Sequence, residues 1–439
     1  MDPQPRTGTP SNVWCKPQVM FYPRAEPPIP PCPPYPMAIP LDLRAEAHLD
    51  PSLHYRNPLS AHWQQPRTLL LTGATGFLGL YLLGELLTQT QAQIYCLVRA
   101  NDAAAARQRL QGLWQEYQLD PSLGDRVQPL VGDLSQPHLG LSATAFTELG
   151  SRLDGIYHSG AGVAVTQPYD RLKAINVGGT QTLLHLAHIG QTTPFHYLSS
   201  LGLFFGQGTP AQGRFQESDF PEPASVKGGY KQTKVVSELL IQAAQERGLP
   251  ACIYRPGRIL GHSATGIIDL IQNPKDFLFI LLIACVQLGC YPQVEEAIEA
   301  APVDYFSRAI VHLAHQPASF CQVFHLLNSR PSTWLDLVAT TQGLGYGLEG
   351  VTVEAWVEQW RQRGAAVLTP PLQGLLSQVI EARGTALFPP KPGIDDGQTA
   401  QALGTIAGAY PPPSLDKTLL QVYFRYFHHQ GAVSQPPLA

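Results

Sequence analysis

The stretch Thr72-Gly-Ala-Thr-Gly-Phe-Leu-Gly79, "TGATGFLG", carries the clearest structural signal in the sequence. It lies between an apolar run ending in Leu69-Leu-Leu71 and a leucine-rich segment, "LYLLGELL", and it carries glycines at 73, 76 and 79. A buried strand, a turn with G-x-x-G-x-x-G spacing and a helix form the geometry in which backbone N–H groups and the positive end of a helix meet a pyrophosphate. Gly73 is expected to make the tight turn, Gly76 to admit the phosphates and Gly79 to let helix and strand pack closely. Thr75, Phe77 and Leu78, lying between them, are assigned to the same cofactor contact.

Outward from this turn, short apolar strands alternate with amphipathic helices as far as about residue 260. "TLLLTG" leads into "LYLLGELL", "QIYCLVR" into "AAAARQRLQGLW", and "VQPLVGDL" follows. "GIYHSGA" then precedes "VGGTQTLLHLAHI", "FHYLSS" precedes the helix around "YKQTKVVSELLIQAA", and "ACIYRPGRIL" closes the series. That alternation predicts an α/β fold with a doubly wound parallel sheet. The dinucleotide-binding domain is placed at residues 41–262, where "LDLRAEAHL" has helical spacing at its start. Beyond it, helices separated by proline turns ("TPP", "FPPKP", "YPPPS") predict a smaller, mostly helical substrate part over 263–430. That part is expected to cap the C-terminal edge of the sheet, with some segments returning to it. Residues 1–40 hold the run "EPPIPPCPPYPMAIP", whose prolines remove donors and fix φ, so an extended, disordered arm or linker is expected there.

Composition narrows the partners. Only 14% of the 439 residues are charged, the net charge is −4 and no basic block stands out, which argues against nucleic acid or an anionic membrane surface. The seven cysteines include no C-x-x-C pair, so reduced thiols in a cytoplasmic protein and no metal are expected. The first residues lack a basic stretch leading into an apolar one, so no secretory signal is expected. The most apolar segment, Phe277 to Tyr291, falls short of the roughly 20 residues a bilayer span requires, and reads as a buried helix.

The second strand ends in Arg99, where a carboxylate would repel a 2'-phosphate and a guanidinium binds one bidentately; this points to NADPH. Arg107 and Arg109 are either a second positive group or solvated surface. Asp133, followed by Leu134, is either an adenine contact or a turn cap. Ser159, Gly160 and Ala161 in "HSGAG" leave room for the nicotinamide, and Pro256 closes the same side. Asn176 in "INVGGT" is either a helix-bend residue at the active site or an ordinary polar position.

Tyr230 and Lys234, four apart in "GGYKQTKVVSELL", share one face of a helix. A lysine ammonium beside a phenol is expected to lower its pKa from about 10 towards neutrality, so that the tyrosine protonates a carbonyl oxygen as hydride arrives. "YLSSLGLF", upstream, presents Ser199 and Ser200 at a strand end. Ser200 is favoured as the second donor of an oxyanion site, with Ser199 structural.

These residues resemble an extended short-chain dehydrogenase/reductase, and more narrowly the thioester reductase domains of nonribosomal peptide and polyketide synthetases and carboxylic acid reductases. The similarity rests on "LLTGATGFLG", "CLVRA", "GDL", "YDRLKAINVGGTQTLL", "LSS", "GGYKQTKVVSE", "YRPGRILGHSATG", "VDYFSRAIVHLA" and "LLQVYFRYF". It implies that an acyl group held as a thioester on a carrier protein's phosphopantetheine arm, or on coenzyme A, is reduced by NADPH to an aldehyde, or on to the alcohol. In that scheme Tyr230 and Ser200 hold the oxyanion, and Lys234 orients the nicotinamide ribose.

Two departures stand out. Ser200 occupies a position usually taken by threonine, and Ile280 and Ile283 stand in a segment that commonly carries basic residues. The second suggests that this helix lines a pocket for a greasy acyl chain. With no adenylation or carrier segment in its sequence, the chain is expected to act in trans. Two other readings share these motifs: a nucleotide-sugar epimerase or dehydratase, and a non-catalytic dinucleotide-binding scaffold. Arg99 and the apolar C-terminal half oppose the first, and the intact Tyr/Lys pair opposes the second.

Overall fold

The computed structural model describes residues 41–164, 167–268, 277–328, 330–367, 370–384, 387–388, 391–404 and 412–435. The proline-rich stretch 1–40 lies outside the described residues. Seven strands form one sheet: β1 (Thr68–Thr72), β2 (Gln93–Val98), β3 (Val127–Val131), β4 (Gly155–His158), β5 (Phe195–Leu198), β6 (Ala251–Pro256) and β7 (Val323–Leu326). Their spatial order is β7-β6-β5-β4-β1-β2-β3, and every pairing is parallel. The order reverses between β1 and β4, which opens the crevice where ligands bind in such sheets.

Strand periodicity sets the two faces. Leu69 and Leu71 turn to one side and pack with α1 (Phe77–Gln89), α2 (Ala103–Glu116) and Phe306 and Ile310 of a later helix. Leu70, between them, turns to the other and joins Leu183 of α3 (Gly179–Leu186) and Val235, Val236 and Leu240 of α4 (Gly229–Glu246). Both faces are covered, which explains why these strands read as unbroken apolar runs rather than alternating ones.

The expected helix at "LDLRAEAHL" is only one turn, Leu43–Glu46, tied down where Glu46 meets Lys173 at 2.6 Å and Tyr169 Oη at 2.8 Å. The part beyond residue 262 has a core of its own. At its centre is α5 (Phe277–Leu288), whose residues from Leu278 to Cys285 are all buried. Around it pack α7 (Trp334–Gln342), α8 (Val353–Val367), α9 (Pro370–Arg383) and α10 (Lys417–His429), contributing Trp334, Trp356, Leu376, Tyr423 and Phe427. Among the described residues no helix is long and apolar enough to cross a membrane. Two segments from this half join the sheet: α6 (Val303–Ala314) lies against α1, and β7 extends the edge beside β6.

The "GHSATG" loop latches the halves together. Ser263 donates from N and Oγ to the Asp304 carboxylate at 2.9 and 2.7 Å, and Tyr423 Oη donates to the Gly261 carbonyl at 2.8 Å.

Candidate active site

One cleft of about 730 Å³ runs along the C-terminal ends of the strands. The glycine turn forms its floor. Gly73 has φ +79°, and a Cβ there would lie 2.6 Å from the Gly160 nitrogen; a Cβ on Gly79 would lie 2.0 Å from the Gly73 carbonyl oxygen. Both positions therefore exclude any side chain, the first for its left-handed backbone and the second for the close seating of α1. Gly76 is less crowded, with its nearest neighbour at 3.4 Å, and it caps α1 with no side chain over the helix N-terminus. A cradle of bare backbone against a helix end fits a pyrophosphate.

The cleft gathers nearly all the residues expected to hold a cofactor: Thr75, Phe77 and Leu78 beside the glycines, Arg99, Arg109, Asp133, Leu134, Ser159, Gly160, Ala161 and Pro256. Arg109 Nη1 donates to the Arg99 carbonyl at 3.0 Å, which keeps two guanidinium groups near the end of β2. Arg107 is exposed and not part of the cleft wall. Asp133 lines the cleft, and its Oδ1 accepts from Ser135 N and Oγ at 2.8 and 2.7 Å, as a turn cap does.

Asn176 is not in the cleft wall. It is buried in a π-helical turn, Ala174–Gly178, directly before α3. Its Oδ1 accepts from Gly162 N at 2.7 Å, and its Nδ2 donates to the Gly162 carbonyl at 3.2 Å and to Thr233 Oγ1 at 2.9 Å. The side chain pins the loop after β4 to the helix carrying Tyr230.

Ser200, Tyr230 and Lys234 line the cleft together. Ser200 caps a short 3₁₀ turn, its Oγ accepting from Gly202 N at 3.0 Å, so its own hydrogen remains to be donated into the cleft. Ser199 also borders the cleft, but its hydroxyl donates to Glu238 Oε1. Lys234 is buried; its Nζ donates to the Leu198 carbonyl at 2.5 Å and sits 4.4 Å from the Tyr197 ring centre.

The electrostatics correct one expectation. Tyr230 keeps part of its surface open to the cleft, but the protein around it pushes its phenol up to about 12. Burial brings the Lys234 ammonium down to about 7. Desolvation disfavours both charged forms, and this outweighs the phenolate-stabilising effect expected from a neighbouring ammonium. Tyr230 therefore stands as a neutral phenol with a proton to give.

Sequence reasoning passed over the supporting shell. Thr72 Oγ1 accepts from Gly160 N at 3.0 Å and meets His158 Nδ1 at 2.8 Å, while His158 Nε2 meets Thr180 Oγ1 at 3.1 Å. Glu238 and Arg255 form a buried pair at 2.7 Å, and Arg255 also donates to the Asp219 carbonyl at 2.9 Å. The signal for Glu238 was present, since it follows Lys234 by four residues and so continues the Tyr230 face. The expected acyl-lining role of α5 is not seen: none of its residues borders the cleft, and Ile280 and Ile283 are core. The C-terminal half instead supplies Ile268, Glu299, Leu327, Lys391 and Ile394.

Residues 71–310 match the nicotinamide-dinucleotide-binding family described as Male sterility protein. A linear gramicidin synthase of Brevibacillus parabrevis is 37% identical over 353 residues, which cover 79% of this chain and 7% of that protein. The chain spans about a third of the length of the next curated relatives, 36% and 31%. The crystal structure of the terminal R domain from the myxalamid PKS-NRPS biosynthetic pathway superposes with a TM-score of 0.81 at 35% identity, covering 90% of this chain and 99% of that one. A thiolation-reductase di-domain from an archaeal nonribosomal peptide synthetase shares the fold, with a TM-score of 0.69 at 21% identity over 84% of this chain and 77% of the other.

Proposed function

Because the chain belongs to the Male sterility protein family, among the terminal reductase domains of the extended short-chain dehydrogenase/reductase type, we propose that it reduces an acyl thioester to an aldehyde with NADPH. The acyl donor is a carrier protein's phosphopantetheine arm or coenzyme A, and the product is the aldehyde or, after a second reduction at the same site, the alcohol. The reading rests above all on Ser200, Tyr230 and Lys234 lining the same cleft as the glycine cradle. Residues 41–262 act as the cofactor-binding part and 263–430 as the substrate-facing part, and the buried unpaired cysteines 96, 252, 285 and 290 accord with work in the cytoplasm.

The glycine turn and the α1 N-terminus would hold the pyrophosphate, Arg99 and Arg109 the 2'-phosphate, and Lys234 the nicotinamide ribose. The bound cofactor supplies the hydride. Ser200 donates a hydrogen bond to the thioester carbonyl oxygen, and the neutral Tyr230 phenol donates a second. As negative charge builds on that oxygen, both bonds strengthen, which lowers the barrier. The oxyanion then collapses, the C–S bond breaks, and the departing thiolate takes up a proton. In a second round Tyr230 protonates the alkoxide formed from the aldehyde.

Purified protein, NADPH and a panel of acyl thioesters test this directly. Thioester-dependent loss of NADPH absorbance is expected, with aldehyde or alcohol as product. Tyr230→Phe should slow it by roughly 10²–10⁴-fold, the usual contribution of a positioned acid. Oxidation that ignores this substitution would sink the assignment.

A further inference from the structure

The C-terminal half lines the cleft with Ile268, Leu327 and Ile394, with the Glu299 carboxylate and with Lys391. Glu299 lies between two short strands, Ala297–Ile298 and Ala300–Pro302. The second pairs in parallel with Arg258–Leu260, which follows directly on β6. Backbone pairing therefore holds the carboxylate close to the strand end that also brings Pro256 to the cleft.

Glu299 is half-buried, and among the described residues it makes no hydrogen bond or ion pair. The nearby cations are committed elsewhere or act only at a distance. Lys391 Nζ meets Glu296 Oε1 at 3.0 Å and donates to the Ala297 carbonyl at 3.2 Å. Arg258 has a partner of its own. Lys391 and Arg214 act on Glu299 only through their fields, with Asp396 and Glu296 opposing them, and burial dominates, raising the carboxyl pKa. A partly desolvated carboxylate beside apolar side chains is costly unless something pairs it.

We propose that Glu299 pairs a cationic nitrogen on the acyl group, so that the preferred thioester carries an ammonium group on an otherwise apolar chain. This rests on the thioester reading and replaces the purely greasy acyl chain suggested by the sequence of α5. Glu299 is then a specificity-determining residue: it binds a part of the substrate remote from the reacting carbon, and that binding energy is used in the transition state.

The test takes the full chain, NADPH and matched coenzyme A thioesters of about four to ten carbons ending in methyl, hydroxyl or ammonium, with leucyl-CoA for an α-amine. At the fitting length the ammonium substrate should exceed its methyl counterpart in kcat/KM by roughly 10–100-fold, the span of a hydrogen bond to a charged group. Glu299→Gln should bring that ratio towards one and Glu299→Lys should invert it, with NADPH binding by fluorescence used to verify that each variant is folded. A wild-type enzyme that takes methyl or hydroxyl chains as well as ammonium chains at every length overturns the inference and leaves thioester reduction standing. A ratio unchanged in Glu299→Gln also overturns it. No oxidation with any thioester removes the proposed function and this inference with it.

Discussion

Lys234 and Tyr230 sit one helical turn apart, and burial moves their pKa values in opposite directions, to about 7 and about 12. Below pH 7 the lysine carries its charge; above it the charge is progressively lost, while the tyrosine keeps its proton. We expect kcat/KM for NADPH, which reports the free enzyme, to fall as pH rises through about 7. Lys234→Arg, charged throughout, should lose that limb; a wild-type profile flat from about pH 6 to 9 would contradict the assignment. With Arg99 proposed at the ribose end, Arg99→Asp should shift preference from NADPH towards NADH by roughly tenfold or more, since a carboxylate repels a 2'-phosphate. An unchanged cofactor ratio in steady-state assays would remove Arg99 as the determinant. Residues like these were legible by their place in the strand-helix order, since a glycine triplet or a Tyr/Lys pair alone carries little, and the structure brings them to one cleft. The state of a buried proton was not, because desolvation depends on packing from distant segments.

Among the elements, the π turn at Ala174–Gly178 shows where sequence pattern runs out. "INVGGT" left open a helix-bend residue at the active site or an ordinary polar position, because a one-residue insertion in the hydrogen-bond ladder leaves no periodic mark; such turns gather near functional sites. Asn176→Ala should cost about 1–3 kcal/mol, because Gly162 and Thr233 lose a buried partner. It should also lower kcat more than NADPH affinity, since the side chain ties two site elements together without lining the cleft. Chemical denaturation and a cofactor titration check the two parts, and unaltered stability would show the contacts to be dispensable. Six strands of the sheet stood out as apolar runs next to helices. β7, the four residues "VFHL" among polar and proline-rich neighbours, did not, because a strand that short has no period to read.

On the scale of the whole molecule, the division of labour differs from the one the hydropathy of α5 suggested. That helix is the centre of a second core, walled off from the cleft by the segments around it. Ile283→Ala should therefore destabilise the protein by about 2–5 kcal/mol, measured by thermal or urea unfolding, with no change in the relative rates on long and short acyl thioesters. A change in chain-length preference would restore the helix to the substrate site. An unbroken apolar sequence says that a helix is buried, and cannot say against what.

The placement of β7 also bears on how the chain is made. β6 ends at Pro256, and the strand that covers its edge begins at Val323, about seventy residues later. At usual translation speeds that interval lasts roughly 4–14 s, during which the emerging sheet presents an unpaired row of backbone donors and acceptors. A ribosome paused between the two strands would hold the protein at its stickiest, so recombinant yield should depend on the pace of synthesis through this interval as well as on the stability of the finished fold.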